Sequence, residues 1–238
     1  MVISQLYSVR DAVPEDMDGV LRKLSQMGYS FVEFAGFFDY PATEVRRLLD
    51  LYGLRAAGAH TALDEISERF AETVAFHKAI GNDFLIIPAH DLSSQDKIDL
   101  FVERVNRLQP KLETEGLRLG FHNHQREFLP NADGSVAYPA LVQQTALCLE
   151  LDTYWAYVAG QNPAALMEQL KSRMPLLHIK DGLADGTGRP LGRGTAPVEA
   201  VYRKAAALGI AMVVESETLT PDGLTEAQIC IDYLRSLV

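Results

Sequence analysis

Arg118-Leu119-Gly120-Phe121-His122 and Leu149-Glu150-Leu151-Asp152 share one pattern: large apolar residues alternate with others, and the run ends on a polar side chain. Strand side chains alternate with a period of two. Leu119 and Phe121 therefore face one side, and Gly120 and His122 the other. The same alternation sets Leu149 and Leu151 against Glu150 and Asp152, and Met212 and Val214 against Glu215. If the apolar set faces a layer of helices, the polar set points toward a common axis.

The pattern extends over the whole chain. Strand candidates are Val2–Tyr7, Ser30–Phe34, Arg55–Ala59, Phe84–Pro88, Arg118–His122, Ala146–Asp152, Leu176–Lys180 and Ala211–Glu215. Helical spacing lies between them: Leu21, Leu24 and Met27; then Val45, Leu48, Leu49 and Tyr52; then Phe70, Val74, His77 and Ile80. Gly28, Gly53, Gly81, Gly116 and Gly209 close helical patterns just before a strand candidate. Eight strands, each followed by a helix, predict a single (β/α)₈ TIM barrel over residues 1–238. The alternative is a doubly wound sheet, which usually places a glycine-rich phosphate loop after its first strand. Here that place reads Tyr7-Ser8-Val9-Arg10-Asp11. No linker divides the chain, and Gly182–Gly194 reads as a loop within one βα unit.

Polar residues sit where the strand candidates end. Glu33, His60, His122, Asp152, His178 and Glu215 recur about once per βα repeat, and Pro88 ends the fourth strand. In a barrel this end is the mouth, where active sites are built. Converging carboxylates repel one another and are costly to bury unless neutralised. A divalent cation supplies that neutralisation. The predicted ligands are His122, Asp152, His178 and Glu215, a nitrogen and oxygen set suited to Mn²⁺, Zn²⁺, Co²⁺ or Fe²⁺, with Mg²⁺ also open. The plainer reading is a set of hydrogen-bonded mouth residues without metal. Glu150, one layer deeper, reads as structural.

With these residues in place, the chain resembles the xylose-isomerase-like TIM-barrel superfamily, in its sugar phosphate isomerase/epimerase branch. The resemblance rests on Gln5–Asp11, Gly28-Tyr29 through Val32-Glu33, Gly58-Ala59-His60 and Gly120-Phe121-His122-Asn123-His124 with Glu127-Phe128. It continues in Leu151–Trp155, His178–Asp181, Leu191–Gly194 and Val214-Glu215, so it covers nearly the whole chain. It implies one divalent metal held from the last four strands. Epimerases of this superfamily commonly use glutamate, aspartate, histidine and glutamate there. Asp152, His178 and Glu215 match, whereas His122 stands where many relatives carry glutamate, and His124 is the alternative ligand on that strand. A histidine in this place is also a feature of inosose dehydratase and related lyases.

The chemistry so implied is proton abstraction next to a carbonyl, with the metal stabilising an enediolate. The expected function is therefore a metal-dependent sugar isomerase or epimerase. A keto-sugar or keto-cyclitol dehydratase is the second reading, and a non-catalytic carbohydrate-binding barrel the third. Glu215 is expected to ligate and to act as base, and His124 as acid or hydroxyl contact. Lys180 is expected to bind a hydroxyl, carboxylate or oxyanion, or else to pair with Asp181 or Glu217. Glu33, His60, Glu127, Trp155 and Arg193 are candidate substrate contacts. The bland alternatives are backbone satisfaction for Glu33 and His60, a cap or Arg126 pair for Glu127, a lid over the core for Trp155 and a solvated surface position for Arg193.

Composition narrows the partners. Hydrophobic residues make up 47% and charged residues 23% of the 238 residues, which excludes a disordered or fibrous chain. Lys and Arg number 22 against 32 Asp and Glu, a net charge of −10 that repels nucleic acid and anionic lipid. The apurinic-site endonuclease arm of the superfamily is disfavoured for the same reason, and for want of mouth residues for three metals. Two cysteines, Cys148 and Cys230, point to a reducing cytoplasm. Met1–Asp11 does not read as a signal peptide, and no apolar run is long enough to span a membrane. The expected partner is a small-molecule sugar or sugar derivative. A homo-oligomer is implied by analogy alone.

Overall fold

A computed structural model describes residues 1–238. The strands are β1 (Val2–Gln5), β2 (Phe31–Phe34), β3 (Arg55–His60), β4 (Phe84–Ile87), β5 (Arg118–His122), β6 (Cys148–Asp152), β7 (Leu176–Ile179), β8 (Asp181–Gly182), β9 (Gly188–Arg189) and β10 (Ala211–Val214). All but β8 and β9 form a closed barrel in the order β1-β10-β7-β6-β5-β4-β3-β2. The last strand closes on the first in parallel, with Val2 beside Met212 and Ser4 beside Val214. The chain is thus a single (β/α)₈ TIM barrel. Strands β8 and β9 make a small antiparallel hairpin inside the segment read as loop.

The helices are α1 (Met17–Met27), α2 (Ala42–Tyr52), α3 (Leu63–Glu68), α4 (Phe70–Ile80), α5 (Gln95–Thr114), α6 (Ala137–Gln144), α7 (Thr153–Val158), α8 (Pro163–Leu170), α9 (Val198–Leu208) and α10 (Gly223–Ser236). No helix is long and apolar enough to cross a membrane. The glycines after α1, α2, α4 and α9 take left-handed φ values of 96°, 64°, 76° and 70°, which let each helix stop and turn into the next strand.

Strand alternation builds two layers. Leu119, Phe121, Leu149, Leu151, Met212 and Val214 face outward and pack against the helices, each at most 4% exposed. Ile3, Phe84, Ile86, Leu176, Ala211 and Val213 fill the lower barrel interior. Gly120 shows why a small residue is needed on that axis. A Cβ there would lie 2.7 Å from the Phe84 ring, so its absence lets the phenyl group plug the barrel floor. Above this floor the inward side chains become polar, and the candidate site begins.

The first strand is shorter than the sequence suggested. The Gln5 side chain accepts the Tyr7 N–H at 3.1 Å and starts a 3₁₀ turn over Leu6–Val9 in place of further strand.

His77 on α4 gives a pH-dependent prediction. Its Nδ1 accepts from the Asn82 amide at 2.9 Å, and burial pushes its pKa down to about 4. The unfolded chain takes up this proton near pH ~6.5. The unfolded state therefore binds more protons between these two values, and stability falls as pH drops through that window. His77→Gln removes this contribution. Urea unfolding at pH 7 and pH 5 should show a smaller loss in the variant than in the parent; equal losses would refute the assignment.

Candidate active site

The upper barrel interior holds His122 from β5, Asp152 from β6, His178 from β7 and Glu215 just beyond β10. One nitrogen or oxygen of each lies within 4.8 Å of those of the other three, and all four side chains are buried. Sheet register explains the grouping. Asp152 pairs with His178 across β6 and β7, and the Glu215 N–H continues the ladder to the Ile179 carbonyl at 3.3 Å. His178 Nδ1 is 3.1 Å from Glu215 Oε2, and His122 Nε2 is 3.9 Å from Asp152 Oδ2.

Asp152 has a divided role. Its Oδ1 accepts the Trp155 N–H at 2.8 Å and caps α7. Its Oδ2 is buried with no hydrogen-bond partner. An orphaned carboxylate oxygen in a buried site is costly. Two imidazoles and a second carboxylate surround it, so the donor set fits a divalent cation of the zinc or manganese type.

A second group lies beneath. His122 Nδ1 meets Glu150 Oε2 at 3.2 Å, and His178 Nε2 donates to Glu33 Oε1 at 2.8 Å. His60 Nε2 donates to Glu150 Oε2 at 2.9 Å, and Gln5 Nε2 to Glu33 Oε1 at 2.6 Å. His60, His122, Glu150 and His178 thus form another close quartet, sharing two members with the first. Each imidazole has only two nitrogens, so both quartets cannot use the same rings fully. The geometry divides the labour: outward nitrogens serve the upper group, and inward nitrogens are held by Glu33 and Glu150. Such carboxylate partners fix the tautomer and orientation of ligating histidines.

Without a bound cation, the charges in this network set the protonation of its members. Burial opposes charge on His178, yet Glu150, Glu215 and Glu33 raise its pKa well above the usual histidine range. Burial likewise opposes charge on His60, but Glu33 and Glu150 together outweigh it and the pKa rises to about 9. Burial, reinforced by the nearby His178 charge, pushes His122 down to about 3. Burial raises Asp152 to about 7, although Lys180 pulls the other way.

The remaining predicted residues fall into four groups. His60 and His124 line a mouth cavity of about 340 Å³ together with Tyr7, His122, Glu215 and Glu217. Lys180 is 1% exposed; its Nζ lies 2.7 Å from Glu217 Oε1, 3.5 Å from Glu215 Oε2 and 4.8 Å from the Trp155 ring centre. Trp155 in turn lies 6.1 Å from His124, ring centre to ring centre. Glu33 and Glu127 are held elsewhere. Glu33 is fully buried below the mouth. Glu127 accepts the His124 N–H at 2.7 Å, and so shapes that loop from behind. Arg193 is exposed and does not line the mouth cavity. Its turn is tied down by Asp181, whose Oδ2 accepts the N–H groups of Gly192 and Gly194, each at 2.9 Å.

The sequence offered Glu217 only as one possible partner of Lys180, not as a mouth residue, and gave Glu150 a structural part. Alternation placed Glu150 inward two residues before Asp152, which was the available signal. Glu217 lies beyond the strand end, where period two no longer holds.

A family model described as xylose isomerase-like TIM barrel matches residues 21–237. The inosose dehydratase of Clostridium beijerinckii is 19% identical over 186 residues, 68% of this chain and 62% of that protein. The match thus spans less than two thirds of that relative's length. A sugar phosphate isomerase/epimerase from Parabacteroides distasonis superposes with a TM-score of 0.85 at 24% identity, over 98% of this chain and 96% of that one. The IOLI protein with a binding zinc atom superposes with a TM-score of 0.78 at 14% identity, over 100% and 97%. Identities this low carry the fold alone.

Proposed function

The chain belongs to the xylose isomerase-like TIM-barrel family, and from that premise we propose that it is a metal-dependent isomerase or epimerase of a sugar or sugar derivative. Its structural neighbours include epimerases and a probable dehydratase. The observation that carries the reading is the orphaned Asp152 Oδ2 among His122, His178 and Glu215 at the open end of the barrel.

His122 Nε2, Asp152 Oδ2, His178 Nδ1 and Glu215 would hold the cation. Bound there, a divalent ion supplies Lewis-acid polarisation of a substrate carbonyl. The chain's own groups do the rest. Glu215, 4% exposed on the cavity wall, takes the proton from the carbon next to that carbonyl. The His124 imidazole, on the same cavity, carries a proton to or from a substrate oxygen. Lys180 keeps its ammonium charge, with a pKa raised to about 12 because the charges of Glu215, Asp152 and Glu217 outweigh burial. That fixed positive charge beside Glu215 favours negative charge developing nearby. The Trp155 ring packs against Lys180 and lies 6.1 Å from the His124 ring, so its part in sugar binding is to position these two groups beside the cavity.

Dehydration is the second reading. His122 replaces a strand-five glutamate that epimerases use as half of their acid/base pair, and the curated relative is named inosose dehydratase. One experiment separates the two. Protein loaded with Mn²⁺ or Zn²⁺ is incubated in D₂O with a panel of ketoses, aldoses and inososes, and products are weighed by mass spectrometry. Isomerisation or epimerisation predicts an added deuteron at the carbon next to the carbonyl. Dehydration predicts a product lighter by one water. Neither change with any panel member, in protein proven to hold metal, contradicts the catalytic reading.

A further inference from the structure

A second cavity of about 340 Å³ lies beside the mouth and matches it in size. Gly36 and His60 line both, so the two spaces adjoin across these residues. The wall of the side cavity is aromatic and acidic: Phe37, Phe38, Tyr40 and Phe76 with Asp39 and Glu65. The loop from β2 to α2 produces this wall. It turns through left-handed conformations at Gly36 (φ 103°), Phe38 (φ 49°) and Asp39 (φ 62°). Phenylalanine and aspartate in this region carry a conformational cost. Phe37 anchors the turn on Phe34 and Phe76, with ring centres 4.9 and 4.4 Å away. Phe38 is left 40% exposed at the cavity edge.

Charge decides what fits. The only arginine lining the side cavity, Arg69, donates to the Glu72 carboxylate at 2.6 Å. The buried ammonium beside the mouth, Lys180, is paired with Glu217. Asp39 and Glu65 in one space, and Glu215 and Glu217 in the other, add negative charge. A phosphate ester would meet the carboxylates of Asp39, Glu65, Glu215 and Glu217, and the cations nearby, Arg69 and Lys180, already face carboxylates of their own. An uncharged ring with apolar faces and hydroxyl donors meets aromatic faces and carboxylate acceptors.

We propose that the side cavity binds a second ring of the substrate. The substrate is then an unphosphorylated sugar bearing a ring substituent, its reacting sugar at the mouth and its substituent against Phe38 and Phe76. This extends the reading of the mouth as a sugar site and rests on it.

Binding, not turnover, tests it. The probes are glucose, phenyl β-glucoside as a two-ring ligand, and glucose 6-phosphate. Affinities come from the fluorescence of Trp155, the sole tryptophan, and contacts from saturation-transfer NMR. Phenyl glucoside is expected to bind about tenfold tighter than glucose, with the strongest saturation on its aryl protons. Phe38→Ala, at an exposed position, should remove most of that advantage and leave glucose affinity unchanged. Glu65→Lys should shift preference toward the phosphate ester. The proposal is overturned if phenyl glucoside binds no tighter than glucose, if Phe38→Ala weakens both alike, if the phosphate ester binds best to the parent protein, or if no probe binds. A protein that binds the two-ring probe as expected but exchanges no substrate proton would sink the catalytic reading and keep this one.

Discussion

Asp152→Asn is expected to lose bound divalent metal and to lower turnover by roughly a thousandfold or more, the loss of several kcal/mol of charge stabilisation. The substitution is nearly isosteric. An asparagine oxygen still accepts the Trp155 N–H now held by Oδ1 at 2.8 Å, so the cap of α7 survives. The other oxygen, buried and without a partner, becomes an amide that donates hydrogen bonds and does not ligate a cation. The local tether also remains, because Asn123 Oδ1 accepts the Asp152 backbone N–H at 3.1 Å. His178→Ala should lose metal by a different route, removing one ligand and the link between Glu215 and Glu33. Circular dichroism should show an intact barrel for both. Full metal occupancy by elemental analysis in both variants contradicts the ligand assignment.

The second large effect is on stability. Glu33 accepts from Gln5 at 2.6 Å and from His178 at 2.8 Å, and lies 3.2 Å from His60 Nε2, all inside the barrel. Burial alone would raise its pKa, but the His178 and His60 charges hold it far below the usual carboxylate range. Glu33→Leu keeps the volume and removes the charge. His178 and His60 then lose a buried carboxylate partner, and Gln5 loses its acceptor. Breaking one side of a buried pair costs about 3–5 kcal/mol. The urea midpoint should fall accordingly with an unchanged denaturant slope. Metal affinity should fall about 10–100-fold as well, since His178 loses the partner that fixes its ring. A stability loss below about 1 kcal/mol would mean the lower network is not holding the site.

The barrel was legible because its two signals are local. Period-two runs such as Leu149–Asp152 mark strands, and glycines such as Gly53 and Gly209 mark where helices end. The same alternation aimed His122, Asp152, His178 and Glu215 at one axis, where the structure brings them together. Depth was harder to read. Glu33 and His60 look alike as polar strand ends, yet Glu33 is sealed below the mouth while His60 reaches both cavities. The bulge between Val32 and Glu33, where β2 meets β3, shifts the register that would have predicted their relative heights. Loops were the least legible. The choice of Glu217 over Asp181 as the partner of Lys180, the anchoring of Gly192 and Gly194 by Asp181, and the aromatic side cavity all depend on contacts across distant segments. No periodicity encodes these.

The most direct measurement is an anomalous-difference map from crystals loaded with a single divalent metal such as Zn²⁺, recorded at its absorption edge. The account predicts one peak at the barrel mouth, within bonding reach of His122, Asp152, His178 and Glu215. A peak held instead on the inner side by His60, Glu150 and Glu33, or a mouth that stays empty at saturating metal, would contradict it.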